Sequence, residues 1–108
     1  MNNVLMKFIN PSCADNSTCA GAGTKLKATS GWSSNGNGTD DFGFAALPGG
    51  NGGSYGYFGH VGNYGYWWSA SEDNANIAYN RSMNGNYEYV GWYYYGKDYL
   101  FSVRCLQD

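Results

Sequence analysis

This sequence has little charge. Only 13% of its residues are Asp, Glu, Lys or Arg, and the net charge is −2. Such a chain has no basic stripe with which to follow a phosphate backbone, so nucleic acid is not an expected partner. Leu, Ile and Val are scarce, and no apolar run nears the roughly 20 residues that a membrane helix requires, so membrane insertion is not expected either. The opening Met1-Asn2-Asn3-Val4-Leu5-Met6-Lys7-Phe8 is too short and too polar for a signal peptide. One histidine, and no Cys-x-x-Cys or Cys/His spacing, leaves nothing from which to build a zinc cluster. The three cysteines are an odd count. Cys13 and Cys19 flank the polar loop Ala14-Asp15-Asn16-Ser17-Thr18, and a bridge closing it would add about 2–2.5 kcal/mol on the loop-entropy model. Cys105 is left over, either as a buried thiol or as half of a pair completed outside this chain. A local staple of this kind favours an oxidising compartment.

Aromatic residues (19%) and glycine (17 residues) are abundant instead. At 108 residues the chain is expected to form one domain, spanning 1–108, whose core rests on a few large rings of roughly 150–250 Å² each. Adjacent Trp67 and Trp68 place their indoles on opposite faces of an extended chain. Tyr66 and Trp68 share one face, Trp67 and Ser69 the other, and Trp68 is expected in the core. Phe101, Val103 and Cys105 alternate with Ser102 and Arg104 as in a half-buried strand. These two strands are expected at the centre of a twisted antiparallel sheet.

At the N-terminus, Val4, Leu5, Phe8 and Ile9 follow helical spacing, Asn2 or Asn3 caps, and Pro11 stops the helix. Thr24-Lys25-Leu26-Lys27-Ala28 reads as a short edge strand whose lysines block stray pairing. The run Ser33 to Asp41 reads as a turn-rich loop. Its oxygens, on Asn35, Asn37, Thr39, Asp40 and Asp41, offer calcium ligands without matching an EF-hand, and a plain solvated loop is the favoured reading, with no cofactor expected. Phe42, Phe44 and Ala46 alternate as a strand ended by Leu47-Pro48-Gly49-Gly50. The glycine-rich stretch Gly49 to Gly62, with Tyr55, Tyr57, Phe58 and His60, opens no helix and so is no phosphate cradle, and His60 reads as a loop side chain. Beyond Trp67-Trp68, Glu72-Asp73-Asn74 turns the chain into a strand at Ile77–Met83, and Asn84-Gly85 signals a hairpin. Tyr87 to Tyr95 returns with Tyr87, Tyr89 and Tyr93 on one side and Glu88, Val90, Trp92 and Tyr94 on the other. Gly96-Lys97-Asp98 then turns into the last strand, completing a meander.

Six short motifs then occur in series: Ala22-Gly23-Thr24-Lys25-Leu26-Lys27, Ser30-Gly31-Trp32, Gly38-Thr39-Asp40-Asp41-Phe42-Gly43-Phe44, Ala46-Leu47-Pro48-Gly49-Gly50, Gly65-Tyr66-Trp67-Trp68-Ser69-Ala70-Ser71 and Phe101-Ser102-Val103-Arg104-Cys105. Together they resemble the Fibrobacter succinogenes major paralogous domain, a family of bacterial surface and secreted modules, from about Leu5 onwards. The resemblance implies an α+β, C-type-lectin-like fold, a mainly antiparallel meander with long Gly/Asn-rich loops and a short N-terminal helix. It also implies kinship with the formylglycine-generating enzyme and an extracellular or cell-surface location. Full-length members resembling this one carry an upstream Cys-Pro-x-Gly-Trp segment and a first helix, so the chain is expected to be N-terminally truncated.

Three functional readings follow. The first is a non-catalytic ligand-binding or adhesion module, because Tyr79 to Tyr95 is crowded with the Tyr, Asn, Ser and Gly that recognition surfaces use. Its expected contacts are Tyr79, Asn80, Tyr87, Glu88, Trp92, Tyr93 and Tyr94, and its partner is a glycan or a protein. The second is a carbohydrate-binding domain, in which rings stack on sugars. The third is an enzyme, which is not expected: Glu72, Asp73, Glu88 and Asp98 lie in polar turns, no Ser/His/Asp grouping is visible, and nothing matches the paired cysteines of the formylglycine-generating enzyme. A purely structural surface domain, whose rings only pack its own meander, is the plain alternative.

Overall fold

The computed structural model describes Met6, residues 8–11, Cys13, residues 18–53 and residues 56–104. Among these, a five-residue helix, α1 (Ala22–Leu26), precedes two-residue strands β1 (Asn51–Gly52) and β2 (Phe58–Gly59), and three longer strands follow: β3 (Tyr64–Glu72), β4 (Ile77–Asn84) and β5 (Gly91–Gly96). β1 and β2 pair antiparallel, and β3, β4 and β5 form an antiparallel sheet with β4 in the centre. The fold is therefore mostly antiparallel β with little helix. Among the described residues, no helix is long and apolar enough to cross a membrane.

The register sorts the side chains. Trp67 lies opposite Arg81, and Arg81 opposite Trp92, while Trp68 faces Asn80 and Asn80 faces Tyr93. Paired residues share a face, so Trp67, Arg81, Met83 and Trp92 lie on one side and Tyr66, Trp68, Asn80, Ser82 and Tyr93 on the other. The first side carries the core, where Trp67 and Met83 join Met6, Ile9, Cys13, Cys19, Ala22, Leu26, Trp32, Phe44, Ala46 and Val90. The expectation for the tryptophan pair is thus reversed. Trp67 is the buried indole, at 5% exposure, set edge-on to Phe44 at 6.3 Å. Trp68 is half-buried on the opposite face, with its ring centroid 4.5 Å from that of Phe101. Gly65 accounts for the choice, because the space a β-carbon would need there is filled by the Trp67 ring.

Other expectations are corrected. Residues 22–26 form a helix and not an edge strand. Lys27 N–H closes it on Gly23 O, and the loop carbonyl of Glu88 accepts from Gly23 N–H and Thr24 N–H, satisfying amides that a helix start leaves orphaned. Only Lys27 then extends, bridging in parallel to Ala46. Lys27 is no edge lysine: it is buried over the Trp32 ring, and its Nζ donates to the backbone oxygens of Asn84 and Tyr87. Burial lowers its pKa, an effect that the charge of Glu88 opposes. The Phe42–Ala46 strand is likewise absent. Asp40 Oδ1 accepts from Ala45 N–H and turns the backbone, so Phe44 is buried while Phe42 is exposed against Phe8.

The Asn84-Gly85 signal does not make a two-residue hairpin. Gly85 N–H is taken by Asn63 O, Asn84 Oδ1 accepts from Asn86 N–H, and Val90 is bridged to Cys19. β5 therefore begins only at Gly91, and Tyr87, Glu88 and Tyr89 sit in the connecting loop. Nor is the C-terminal segment a central antiparallel strand. Leu100 bridges antiparallel to Gly52 of β1, Ser102 bridges parallel to Trp67 of β3, and Phe101 lies between, while Val103 is 73% exposed.

The Ile77–Met83 strand and the Glu72-Asp73-Asn74 turn are as expected, the turn closed by Asn74 Oδ1 accepting from Asn76 and Ile77 N–H. Cys13 and Cys19 form a disulfide, with Cα atoms 5.3 Å apart. Met6, Phe8 and Ile9 are helical, with Ile9 buried and Phe8 exposed. Asn2, Asn3, Val4, Leu5, Ala14 to Ser17, Tyr55 and Cys105, for which the sequence also raises expectations, lie outside the described residues.

Candidate functional site

The sheet face opposite the core is lined with phenols. Tyr64 and Tyr66 alternate along β3 and stack with centroids 5.7 Å apart, and Tyr66 stacks in turn on Phe101 at 4.9 Å. Tyr93 and Tyr95 come from β5, Tyr99 from the turn beyond it, and Tyr87 and Tyr89, stacked at 5.2 Å, from the loop before it. Two cavities open on this face. One, of about 380 Å³, is walled by Asn51, Gly53, Tyr57 and His60 on the β1–β2 side and by Tyr66, Tyr95, Tyr99 and Phe101 on the other. The second, of about 310 Å³, is lined by Tyr64, Ser82, Asn84, Tyr87, Tyr89 and Tyr93, and shares Tyr66 and Tyr95 with the first. Those two rings form the ridge between two parts of one furrow.

Crowding suppresses ionisation at two of the phenols, Tyr66 and Tyr89. Burial first, then the neighbouring hydroxyls of Tyr95, Tyr64 and Tyr93, push the Tyr66 pKa from 10.0 to about 12. Tyr89 is raised by burial, by a hydrogen bond with Tyr93 and by the phenols beside it. Tyr66 and Tyr89 therefore present neutral hydroxyls, able to donate and accept.

The residues expected to bind ligand are divided between the two faces. Tyr87 and Tyr93 line the furrow. Asn80 lies on the same face but is fully buried, with Nδ2 donating to Tyr93 O. Tyr79, Trp92 and Tyr94 occupy the other face. There Trp92 stacks on Tyr79 at 4.8 Å and takes the Arg81 guanidinium over its ring at 4.7 Å, and Tyr94 meets Tyr79 edge-on. Tyr79 O–H also donates to Asp73, the main reason its pKa is raised. Glu88 is exposed in the loop, beside two further hollows of about 320 and 420 Å³.

Two of the calcium candidates are engaged with backbone just outside the loop. Asn37 Oδ1 accepts from Trp32 N–H and Asp40 Oδ1 from Ala45 N–H, while Asp41 is exposed. Among the described residues, no three His, Cys, Asp or Glu side chains gather as a metal site.

Sequence reasoning missed Asn51, Tyr57, His60, Tyr66, Tyr95, Tyr99 and Phe101 as cavity walls. The parity of Tyr64 and Tyr66 carried the signal, but assigning Trp68 to the core turned that whole face inward.

The family model described as the Fibrobacter succinogenes major domain matches residues 5–107. The chain belongs to that family. No curated protein and no solved structure matches it. In this Fibrobacter succinogenes major domain the matched region takes in both cavities and the sheet between them.

Proposed function

We propose that this chain is a non-catalytic ligand-binding module, working at the cell surface or in a secreted protein, and that the phenol-lined furrow is its binding face. The observation that carries the reading is the pair of adjoining cavities sharing Tyr66 and Tyr95. Concave aromatic surfaces with a few convergent polar groups are the usual form of ligand sites, and cavities of about 300–1,000 Å³ are their usual size. Tyrosine suits the task because it offers a large rigid contact surface with few rotors to immobilise. The described walls hold no carboxylate pair or nucleophile-and-base arrangement, which favours binding over catalysis.

We further read the fold as C-type-lectin-like and related to the formylglycine-generating enzyme. Family membership, the short strands and the long glycine-rich loops support that kinship. The Cys13–Cys19 bridge supports an extracellular location, since such bridges persist where conditions are oxidising.

The test is to screen the folded chain against glycan and protein arrays and to compare two sets of variants on any hit. Tyr87→Ala and Tyr93→Ala on the furrow are expected to weaken binding at least tenfold, while Trp92→Ala and Tyr94→Ala on the opposite face change it little. The reverse pattern would move the site to the Tyr79–Trp92–Tyr94 cluster.

A further inference from the structure

The outer edge of β5 carries backbone groups that the fold leaves open. Ser102 takes Tyr66 O and Trp68 N–H, so alternation turns the peptide groups of Trp67 towards Arg81 of β4. By the same alternation Asn80 and Ser82 direct theirs at Tyr93 and Gly91 of β5. Val90, Trp92, Tyr94 and Gly96 therefore point N–H and C=O away from β4. At the ends of this row the groups are used: Val90 exchanges two bonds with Cys19, and Gly96 O accepts from Tyr99 N–H. Between them, among the described residues, nothing pairs with the backbone of Trp92 or Tyr94. Tyr93, Tyr94 and Tyr95 are 43%, 65% and 38% exposed, so both faces of the strand stand clear of cover here. Natural edges are usually guarded by lysine, proline or a bulge. Gly91–Gly96 has no lysine or proline, and its register with β4 is unbroken.

Two open residues, spaced two apart, make an edge complementary to itself. With β5 antiparallel to its own copy about a two-fold axis at Tyr93, Trp92 meets the partner's Tyr94 and Tyr94 the partner's Trp92. Each pair can exchange both main-chain bonds, so every open group is satisfied. An axis at Trp92 would instead set Tyr94 against the partner's Val90, which Cys19 already holds. An axis at Tyr94 would set Trp92 against the partner's Gly96, whose oxygen Tyr99 holds. The strand bears no charge to repel its copy, and the Trp92–Tyr94 pairs are aromatic cross-strand contacts, which stabilise sheets. We propose that this chain pairs with a second copy of itself through β5, antiparallel and centred on Tyr93, making one continuous sheet of the two. The pairing does not depend on what the furrow binds. Because Tyr93 and Tyr95 line the furrow, it also sets two furrows side by side on one face.

The experiment is sedimentation of the full chain at rising concentration, with amide hydrogen exchange measured at both ends of the range. The wild type is expected to pass from monomer to dimer. The Trp92 and Tyr94 amides are expected to exchange at least tenfold more slowly in the dimer, while those of Tyr93 and Tyr95, which face β4, change little. Tyr94→Pro removes an outward N–H and spares the β4 ladder, so it is expected to weaken dimerisation at least tenfold. Tyr93→Lys and Tyr93→Glu are each expected to stay monomeric, because like charges meet on the axis, and to dimerise when mixed. Should the proline variant fail to fold, the charge variants and the wild-type exchange decide. A chain that stays monomeric throughout overturns the proposal, and so does a dimer in which the Trp92 and Tyr94 amides remain fast. Charge variants that dimerise singly, or that do not dimerise when mixed, overturn the Tyr93 axis. Slow exchange of the Trp92 and Tyr94 amides at every dilution would mean that another part of the same chain covers the edge, and overturns the pairing. An added extended peptide that slows these amides in a chain that stays monomeric keeps the edge as a site and removes the second copy.

Discussion

Three large rings here lie over a glycine two residues away on the same strand or turn: Trp67 over Gly65, Tyr93 over Gly91 and Tyr57 over Gly59. Each glycine is the floor on which its ring rests, and a β-carbon would lift the ring away. Gly65→Ala should therefore destabilise the chain by about 1–3 kcal/mol, the usual range for overpacking a core; an unchanged chemical-denaturation midpoint would show that the indole has another place to go. Trp67→Ala is expected to cost about 3–5 kcal/mol and Trp68→Ala distinctly less, because only the first indole is buried in the core. Equal losses would contradict that division. Tyr66 makes a pH prediction. Its folded pKa, about 12, lies above the ordinary 10.0, so the folded state holds the proton more tightly than the unfolded state. The resulting stabilisation is complete below pH 10 and is lost as pH rises through about 12. Melting temperatures followed upward from pH 10 should fall for the wild type, and more gently for Tyr66→Phe.

Among the elements, the C-terminal segment matters out of proportion to its length. Ser102 N–H donates to Tyr66 O and Ser102 O accepts from Trp68 N–H, while Leu100 exchanges two hydrogen bonds with Gly52. Ser102→Pro removes one of these donors, and it is expected to lower the melting temperature and abolish binding in the Asn51 cavity while leaving the β3–β4–β5 pairing intact by amide exchange. Breaking the Cys13–Cys19 bridge with paired serines should cost about 2–2.5 kcal/mol, read from denaturant titration with and without reductant. Much of this architecture was legible in the sequence where local chemistry decides. The β4 alternation, the Asn74 turn and the close cysteine spacing each report on neighbours within a few residues. What was not legible depends on distant partners. Residues 22–26 curl into a helix because a carbonyl far along the chain, Glu88 O, meets their amides, and the turn at Gly85-Asn86 does not lead straight back into the ladder because Gly85 N–H goes to Asn63 O and Val90 pairs with Cys19. The furrow was hidden for the same reason. Alternation says that Trp67 and Trp68 point oppositely, but only the location of Gly65, Met83 and the N-terminal half says which of them points inward.

At the scale of the molecule, the two faces of the sheet divide their tasks. One is closed by Trp67, Met83 and the residues of the N-terminal half, and the other is left open with its phenols outward. The stitching that holds the open face in shape joins parts of the chain far apart in sequence: Cys19 to Val90, Lys27 to Asn84 and Tyr87, Gly52 to Leu100 and Trp67 to Ser102. Chains dominated by such distant pairings fold slowly, because each loop must close before its contacts repay the lost freedom. The clasp formed by residues 99–102 sets an order of events on synthesis. Until that segment has emerged, β1 and β3 lack the strand-like piece that lies between them, and the Asn51 cavity lacks the walls that Tyr99 and Phe101 supply. A nascent chain halted just before this point can be well advanced in its core and still lack two walls of that cavity, so the core and the furrow are completed at different moments of synthesis.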